Sequence, residues 1–445
     1  MAAVETRRLA VVGNWHQASV VSACLAALGY QVTGIGDDAE AIAALNAGRA
    51  PLYEPGLDEL IDQNLRADRL RYTVDYAQGL ATVEVCFLCI DTPVGAGDTS
   101  DLTTIEAAVE AIGAHASGPF VLAVSAQVPI GTCDRMNARL ATHYPTHAIP
   151  VVYVPEFLRL GTAIRSFREA DRFVIGADDT EVAERVAAIY EPLGRPIRLT
   201  DRLSAEMAKH ASNAFLATSI SFINQIADLC EETGADVTEV AAIMKLDARV
   251  GPHAFLGAGL GYAGGTLGRE IRALQKLGKE NGIDTGFLDS VAHTNDRRVP
   301  RLVQRLKDAL GPLQGAQIAV LGLTYKPGTS TLRRSAALEL IDQLTGAGAQ
   351  VRAFDPLARL AEVPDLPAFE LSPDPMAAVS DASAVILIAP WENMAQFDFA
   401  AAADAMQRPL LMDSGNYLSP VAMVRAGFSY VGVGRGEARG VKHGA

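Results

Sequence analysis

The chain has 445 residues, 49% of them hydrophobic and 20% charged, which is enough for two domains and too apolar for long disorder. A net charge of −14 excludes the basic face that nucleic-acid binding needs. No run of 18 apolar residues marks a membrane span, and the N-terminal stretch enters a strand directly, without the layout of a secretory signal.

The first elements read as strand, turn, helix, strand: RLAVVG at 8–13, SVVSACLAALGY at 19–30, then QVTGIG at 31–36. That fits one βαβ unit. VEVCFLCID (83–91) and GPFVLAVSA (118–126) are further apolar runs bounded by turn residues, so the expectation is a parallel sheet covered on both faces. Cys86 and Cys89 in the first of these runs have metal-like spacing. With no second pair or His cluster nearby they read as core residues, and no metal is expected. The remaining cysteines, Cys24, Cys133 and Cys230, are scattered, which fits reduced thiols and a cytoplasmic protein.

From Ser204 to Gly234 a proline-free stretch has apolar positions at three-to-four spacing and ends in glycine, as a long helix does. A second αβ pattern follows in GAQIAVLGL (315–323), SAALELIDQLTGAG (335–348) and AQVRAFDP (349–356), with ASAVILIAPW (382–391) and PLLMDSG (409–415) as further buried strands. The fold class is therefore α/β: two doubly wound Rossmann-like domains joined by a long central helix. The expected segments are 1–200 for the first domain, 201–300 for a helical dimerisation region, 301–437 for the second domain and 438–445 for a tail.

Five segments in order carry a resemblance. They are LNAGRAPLYEPGLDELI (45–61), YVPEFLRLGTAIRSF (153–167) with DRFVIG (171–176), AEMAKHASNAFLATSISFINQIADLCE (205–231), FLGAGLGYAGG (255–265) and LGLTYKPGTSTLRRS (321–335). Together they resemble the UDP-glucose/GDP-mannose dehydrogenase family over nearly the whole chain. That family oxidises a sugar C6 alcohol to a carboxylate with two NAD molecules, by way of a thioester on an active-site cysteine. The resemblance implies nucleotide-sugar contacts from Glu156, Phe157, Leu158 and Arg159, from Lys209 and Asn213, and from the glycine-rich loop with Phe255, Leu256, Gly259, Gly261 and Tyr262. It adds Lys326 and Arg333 from the second α/β domain, and Arg249 as an arginine reaching a neighbouring subunit's ligand, hence a homodimer or larger homo-oligomer.

The chemistry agrees. Lys209 and Asn213 are four residues apart and share a helix face. A glycine-rich loop lets backbone amides approach phosphate oxygens.

Two other parts of the family pattern have changed. The dinucleotide fingerprint G-x-G-x-x-G is Gly13-Asn14-Trp15-His16-Gln17-Ala18 here, which puts an indole where backbone should meet the pyrophosphate. The acidic residue expected at the end of the second strand is Gly36. Asp37 follows, but adjacent strand residues point to opposite faces, so it replaces an acidic residue there only by way of a local bulge. Asp91-Thr92-Pro93, Ser125-Ala126-Gln127-Val128-Pro129 and Asp413-Ser414-Gly415-Asn416 depart from three further family motifs around the same ligand. His16 reads either as a new site residue or as a packed loop histidine.

In the second part, Thr266 of Gly264-Gly265-Thr266-Leu267-Gly268-Arg269-Glu270 stands in the place of the catalytic cysteine. A thiol of ordinary pKa about 8.5 yields thiolate near neutrality, whereas a threonine hydroxyl needs an adjacent base. Candidate catalytic groups are Glu156, Lys209, Asn213, Thr266 and Glu270.

Retained sugar-nucleotide residues beside an altered dinucleotide pattern lead to an expectation of redox-neutral chemistry on a UDP-hexose or UDP-hexuronate. Glycosyl transfer, hydrolysis, epimerisation and elimination are open, with an unidentified acceptor in the first case and no cofactor. The alternatives are an NAD-dependent nucleotide-sugar 6-dehydrogenase that stops at the aldehyde, and a non-catalytic partner that binds UDP-sugar.

Overall fold

The computed structural model describes residues 7–92, 101–363 and 365–435; Pro93 and the expected tail at 438–445 lie outside them. The chain divides into two compact units, 1–211 and 212–445.

In the first unit eight strands form one sheet: β1 (Arg8–Val12), β2 (Gln31–Ile35), β3 (Leu70–Thr73), β4 (Val85–Leu88), β5 (Val121–Val124), β6 (Val151–Tyr153), β7 (Phe173–Gly176) and β8 (Ile197–Thr200). Their order is β3-β2-β1-β4-β5-β6-β7-β8, so the chain reverses direction between β1 and β4, the place where doubly wound sheets open a ligand crevice. Helices α1 (His16–Ala27), α2 (Ala39–Asn46), α3 (Leu57–Arg66), α4 (Tyr76–Leu80), α5 (Thr103–His115), α6 (Thr132–His143), α7 (Ala163–Arg168) and α8 (Thr180–Tyr190) connect the strands.

Both faces of the sheet are buried, as the apolar runs predict. Leu9 and Val11 enter one core and Ala10 and Val12 the other. Cys86 and Cys89 likewise pack into opposite cores, which rules them out as a metal pair; all five cysteines are buried and unbridged. The sheet departs from the expected parallel arrangement at one point. β7 runs antiparallel to β6, because the connection between them, which carries Glu156 and the six-residue α7, returns the chain without a crossover.

The long helix is α9 (Arg202–Thr233), of 32 residues. It ends at Gly234 with φ +79°, a conformation that glycine adopts without steric cost. The division between the two units falls within it. Leu203, Met207, Phe215, Phe222 and Leu229 on α9 are exposed apolar side chains. No helix among the described residues is long and apolar enough to cross a membrane.

The second unit contains α10 (Val237–Leu246), α11 (Leu267–Glu280), α12 (Gly286–Asp296), α13 (Arg298–Leu310) and α14 (Ala336–Gly346). Its parallel sheet of β9 (Gln317–Leu321), β10 (Gln350–Phe354), β11 (Glu370–Leu371), β12 (Ala384–Leu387), β13 (Leu410–Asp413) and β14 (Ser429–Gly432) has the order β11-β10-β9-β12-β13-β14. Ile318 and Val320 face one core, Ala319 and Leu321 the other.

The two sheets solve the same local problem in the same way. Gly13 follows β1 with φ +136°, and its N–H donates to the Ile35 carbonyl at 2.8 Å. Gly322 follows β9 with φ +89°, and its N–H donates to the Phe354 carbonyl at 2.8 Å. A Cβ on Gly13 would lie 2.5 Å from the Cys89 carbonyl oxygen, and one on Gly322 would lie 2.2 Å from that of Ala389. Both obstacles are backbone, so neither can swing aside. Gly322→Ala should destabilise the protein by about 2–4 kcal/mol, read as a lower midpoint in thermal unfolding. An unchanged midpoint would show that the turn relaxes.

Candidate functional site

In the first unit the ends of β1, β4, β5 and β6 converge. After Gly13 and Asn14, Trp15 is the N-cap of α1 with φ −106° and ψ −174°, and its side chain makes no capping bond. The positive end of α1 is therefore turned toward the crevice, the arrangement that binds phosphate. Trp15 is 44% exposed, so its indole lies at the surface of the turn instead of filling it, and its extended backbone is one that any residue adopts. Ala18 is buried against the turn.

Gln17 Nε2 donates to the Ser125 carbonyl at 2.9 Å, Ser125 Oγ to the Val154 carbonyl at 2.6 Å, and Thr92 Oγ1 to the Gln127 carbonyl at 2.7 Å. These bonds fix the mouths of β4, β5 and β6 to one another. The side-chain amide nitrogen of Gln127 is buried beside them and meets no acceptor among the described residues. A buried donor left unpaired costs about 1–3 kcal/mol, which a ligand oxygen would recover.

β2 stops at Ile35, so strand alternation does not govern Asp37. A Cβ on Gly36 would sit 2.9 Å from Asn14 Cβ and 3.1 Å from Ile42 Cδ1, leaving no room for a carboxylate there. Asp38 is occupied in capping α2, accepting from Glu40 N at 2.9 Å and Ala41 N at 3.1 Å. Asp37 is exposed and faces the Tyr76 hydroxyl, whose pKa is raised by burial and by this carboxylate.

Lys209 of α9 reaches back to the segment after β6. Its ammonium donates to the Glu156 carbonyl and stands 4.7 Å from the Phe157 ring centroid, with the Arg172 guanidinium 4.6 Å from the same centroid. Glu156 accepts from Leu158 N. Burial pushes the Glu156 pKa up; Lys209, the Leu158 amide and His16 oppose this, Asp91 adds to it, and the net shift is upward. Leu158 packs its side chain into the core, whereas Arg159 is exposed. Glu206 ties α9 to this end of the sheet by accepting from Gly131 N at 2.5 Å and Cys133 N at 2.9 Å, and His210 Nε2 lies 3.0 Å from the Val128 carbonyl.

His16 is buried, its Nε2 2.9 Å from Glu54 Oε2, so of its two readings the packed one holds. Glu54 also accepts from Gly161 N at 2.8 Å and Ala163 N at 2.7 Å. Its pKa would be raised by burial but ends below the ordinary carboxylate value, because these three donors outweigh the desolvation.

In the second unit the glycine-rich loop is held by three side chains. Asn224 Oδ1 accepts from Gly259 N at 2.8 Å, Asn295 Oδ1 from Tyr262 N at 2.7 Å, and Arg298 Nε donates to the Gly259 carbonyl at 3.1 Å while pairing with Asp228 at 2.6 Å. Gly261 has φ +85°, and a Cβ there would overlap Asn295 Oδ1 at 2.2 Å. Tyr262 has its pKa pushed up to about 12 by burial and Asp296, against Arg272.

Gly264 N donates to the Arg334 carbonyl at 3.1 Å, and the Arg333 guanidinium lies against Gly265. Lys326 Nζ is 5.7 Å from the Tyr325 ring centroid. Thr266 is exposed at the N-cap of α11, and its side chain makes no capping bond. Glu270 is fully buried, with Asn213 Nδ2 3.5 Å from its Oε1, too long for a strong bond. Leu256 is a core residue, Phe255 is 42% exposed, and Arg249 folds onto its neighbour Asp247 at 2.6 Å.

Glu54, Asn224, Asn295 and Arg298 were absent from the sequence-derived set. For Asn224 a signal existed: it lies eleven residues beyond Asn213, about three turns, on the same stripe of α9. Glu54 lies in the YEPG turn of a family-like segment, but nothing local shows that it meets His16 and Gly161.

Three family models match in order. They are the NAD-binding domain of the UDP-glucose/GDP-mannose dehydrogenase family at 7–194, its central domain at 203–297 and its UDP-binding domain at 319–420. The chain belongs to the UDP-glucose/GDP-mannose dehydrogenase family. It is 37% identical to UDP-glucose 6-dehydrogenase of Pseudomonas aeruginosa, over 97% of this chain and 98% of that enzyme. It is 33% identical to UDP-glucose 6-dehydrogenase TuaD of Bacillus subtilis, over 98% and 95%. The solved UDP-glucose dehydrogenase of Pyrobaculum islandicum superposes with a TM-score of 0.89 at 30% identity, covering 98% of this chain and 99% of that one.

These relationships correct two expectations. Redox-neutral chemistry is overturned by long, nearly full-length likeness to enzymes named as dehydrogenases. The absence of a cofactor is overturned by the match of the first unit to the family's NAD-binding domain. The physical reason is that this dinucleotide turn is made chiefly of backbone. Gly13, the N-terminus of α1 and the buried Gln127 donor fit a dinucleotide whichever side chains stand at 15 and 36.

Proposed function

We propose that the protein is an NAD-dependent nucleotide-sugar 6-dehydrogenase that removes one hydride from C6 of a UDP-hexose and releases the aldehyde. Thr266 in the place of the family's thiol carries this reading. The first oxidation takes one hydride and one proton from the CH2–OH group and needs no covalent intermediate, whereas the second proceeds through a thioester. All five cysteines are buried, so no thiol elsewhere among the described residues is presented to a substrate.

NAD, when bound, accepts the hydride. The α1 N-terminus and the Gly13 turn are read as holding its pyrophosphate, Gln127 as donating to it, and Asp37 as accepting from the ribose hydroxyls in place of residue 36. Lys209 steadies the developing oxyanion at C6, and Glu156 takes the hydroxyl proton. In the second unit the amides of the glycine-rich loop, with Lys326 and Arg333, are read as the diphosphate contacts. That the relatives are named as enzymes supports turnover over a purely binding role.

Three measurements test this reading. With UDP-glucose and NAD, one NADH should form per sugar consumed. Two would overturn release at the aldehyde, and none would overturn the dehydrogenase reading. Thr266→Cys places a thiol at the N-terminus of a 14-residue helix, where its pKa falls, and should move the ratio toward two.

A base must be deprotonated to act, so kcat/KM should be lost as pH falls through the raised Glu156 pKa, with an acid limb above the ordinary carboxylate range. Glu156→Gln should abolish that limb and lower kcat about 10²-fold or more; an unchanged profile would remove Glu156 from the reaction.

The exposed apolar side chains of α9 are read as a contact with a second copy of the chain. Phe215→Asp together with Phe222→Asp should then lower the mass found by sedimentation, and an unaltered mass would place any contact elsewhere.

A further inference from the structure

Glu54 is 4% exposed and lies between two pieces of chain with different tasks. On one side is His16, the first residue of α1, whose ring is buried and therefore moves with the start of the helix. On the other are Gly161 and Ala163, at the end of the segment that begins with Glu156 and Phe157. Within that segment Thr162 N donates to the Arg159 carbonyl at 2.9 Å and Glu156 accepts from Leu158 N, so the stretch is short and internally tied. A displacement at Phe157 or Arg159 thus has little slack to absorb it before Gly161.

We infer that Glu54 is a positioning residue that couples dinucleotide binding at the α1 turn to nucleotide-sugar binding at the Glu156–Ala163 segment through the His16–Glu54–Gly161 bridge. The inference rests on the function proposed above and deepens it. One carboxylate serves all three donors: Oε2 accepts from both His16 and Gly161, and Oε1 accepts from Ala163. A bound sugar nucleotide that orders Gly161 and Ala163 fixes the carboxylate, and the carboxylate fixes the ring on which α1 begins. The dinucleotide then meets a turn already ordered, and by linkage the effect runs equally in the reverse direction. A buried carboxylate that merely stabilised the fold would affect thermal unfolding without linking the two affinities.

The test is calorimetric titration of the full-length protein with NAD, alone and with saturating UDP-glucose, and the converse pair. In the unmodified protein the presence of one ligand should tighten the other by about fivefold or more, equally in both directions. His16→Phe keeps a buried ring and removes the hydrogen bond, and should bring that factor close to one while the protein remains folded by thermal unfolding. Glu54→Gln, which loses one acceptor, should do the same; if it does not fold, the His16→Phe result stands by itself. Independent binding in the unmodified protein, or a coupling factor unchanged in His16→Phe, overturns the inference. If neither ligand binds the unmodified protein, the proposed function fails and the inference fails with it.

Discussion

Each sheet turns on a glycine that has no alternative. At the end of its first strand the chain must pass close beneath a carbonyl just beyond the neighbouring strand, Cys89 for Gly13 and Ala389 for Gly322, with φ positive. That turn sends the following helix back over the sheet and leaves the strand ends open, so the crevice between β1 and β4 exists because of it. The residues that follow are then free to vary, because the turn is specified by backbone geometry more than by side chains. Trp15 accordingly enters α1 with an ordinary extended backbone.

Most of the fold was legible in the sequence. The strands declare themselves as short apolar runs because both faces of each sheet are buried, and Leu9, Ala10, Val11 and Val12 alternate between two cores as that requires. The long helix was legible to within two residues because Gly234 ends it. The antiparallel β7 was not, since nothing in its residues distinguishes a return at the same end of the sheet from a crossover.

The site was legible in part. Lys209 and Glu156 are brought together as the family segments imply. Side-chain identity at the dinucleotide turn does not by itself decide whether the cofactor is held. The strand ends one residue before Gly36, so the alternation that seemed to turn Asp37 away does not apply. Residues that act at long range in sequence, Glu54 across 107 positions to Gly161 and Asn295 across 33 to Tyr262, leave no periodic trace and emerge only from the fold.

The proposed reaction turns on chemistry at one atom: without a thiol at Thr266 it is limited to a single hydride transfer. Its most direct test is the fate of deuterium from UDP-glucose carrying two deuterons at C6, followed by NMR of both products. One deuteron should appear at C4 of the reduced nicotinamide and the other should remain on C6 of the sugar, as aldehyde or its hydrate. A product with no deuterium left at C6 would contradict the claim, because both hydrides would then have been removed.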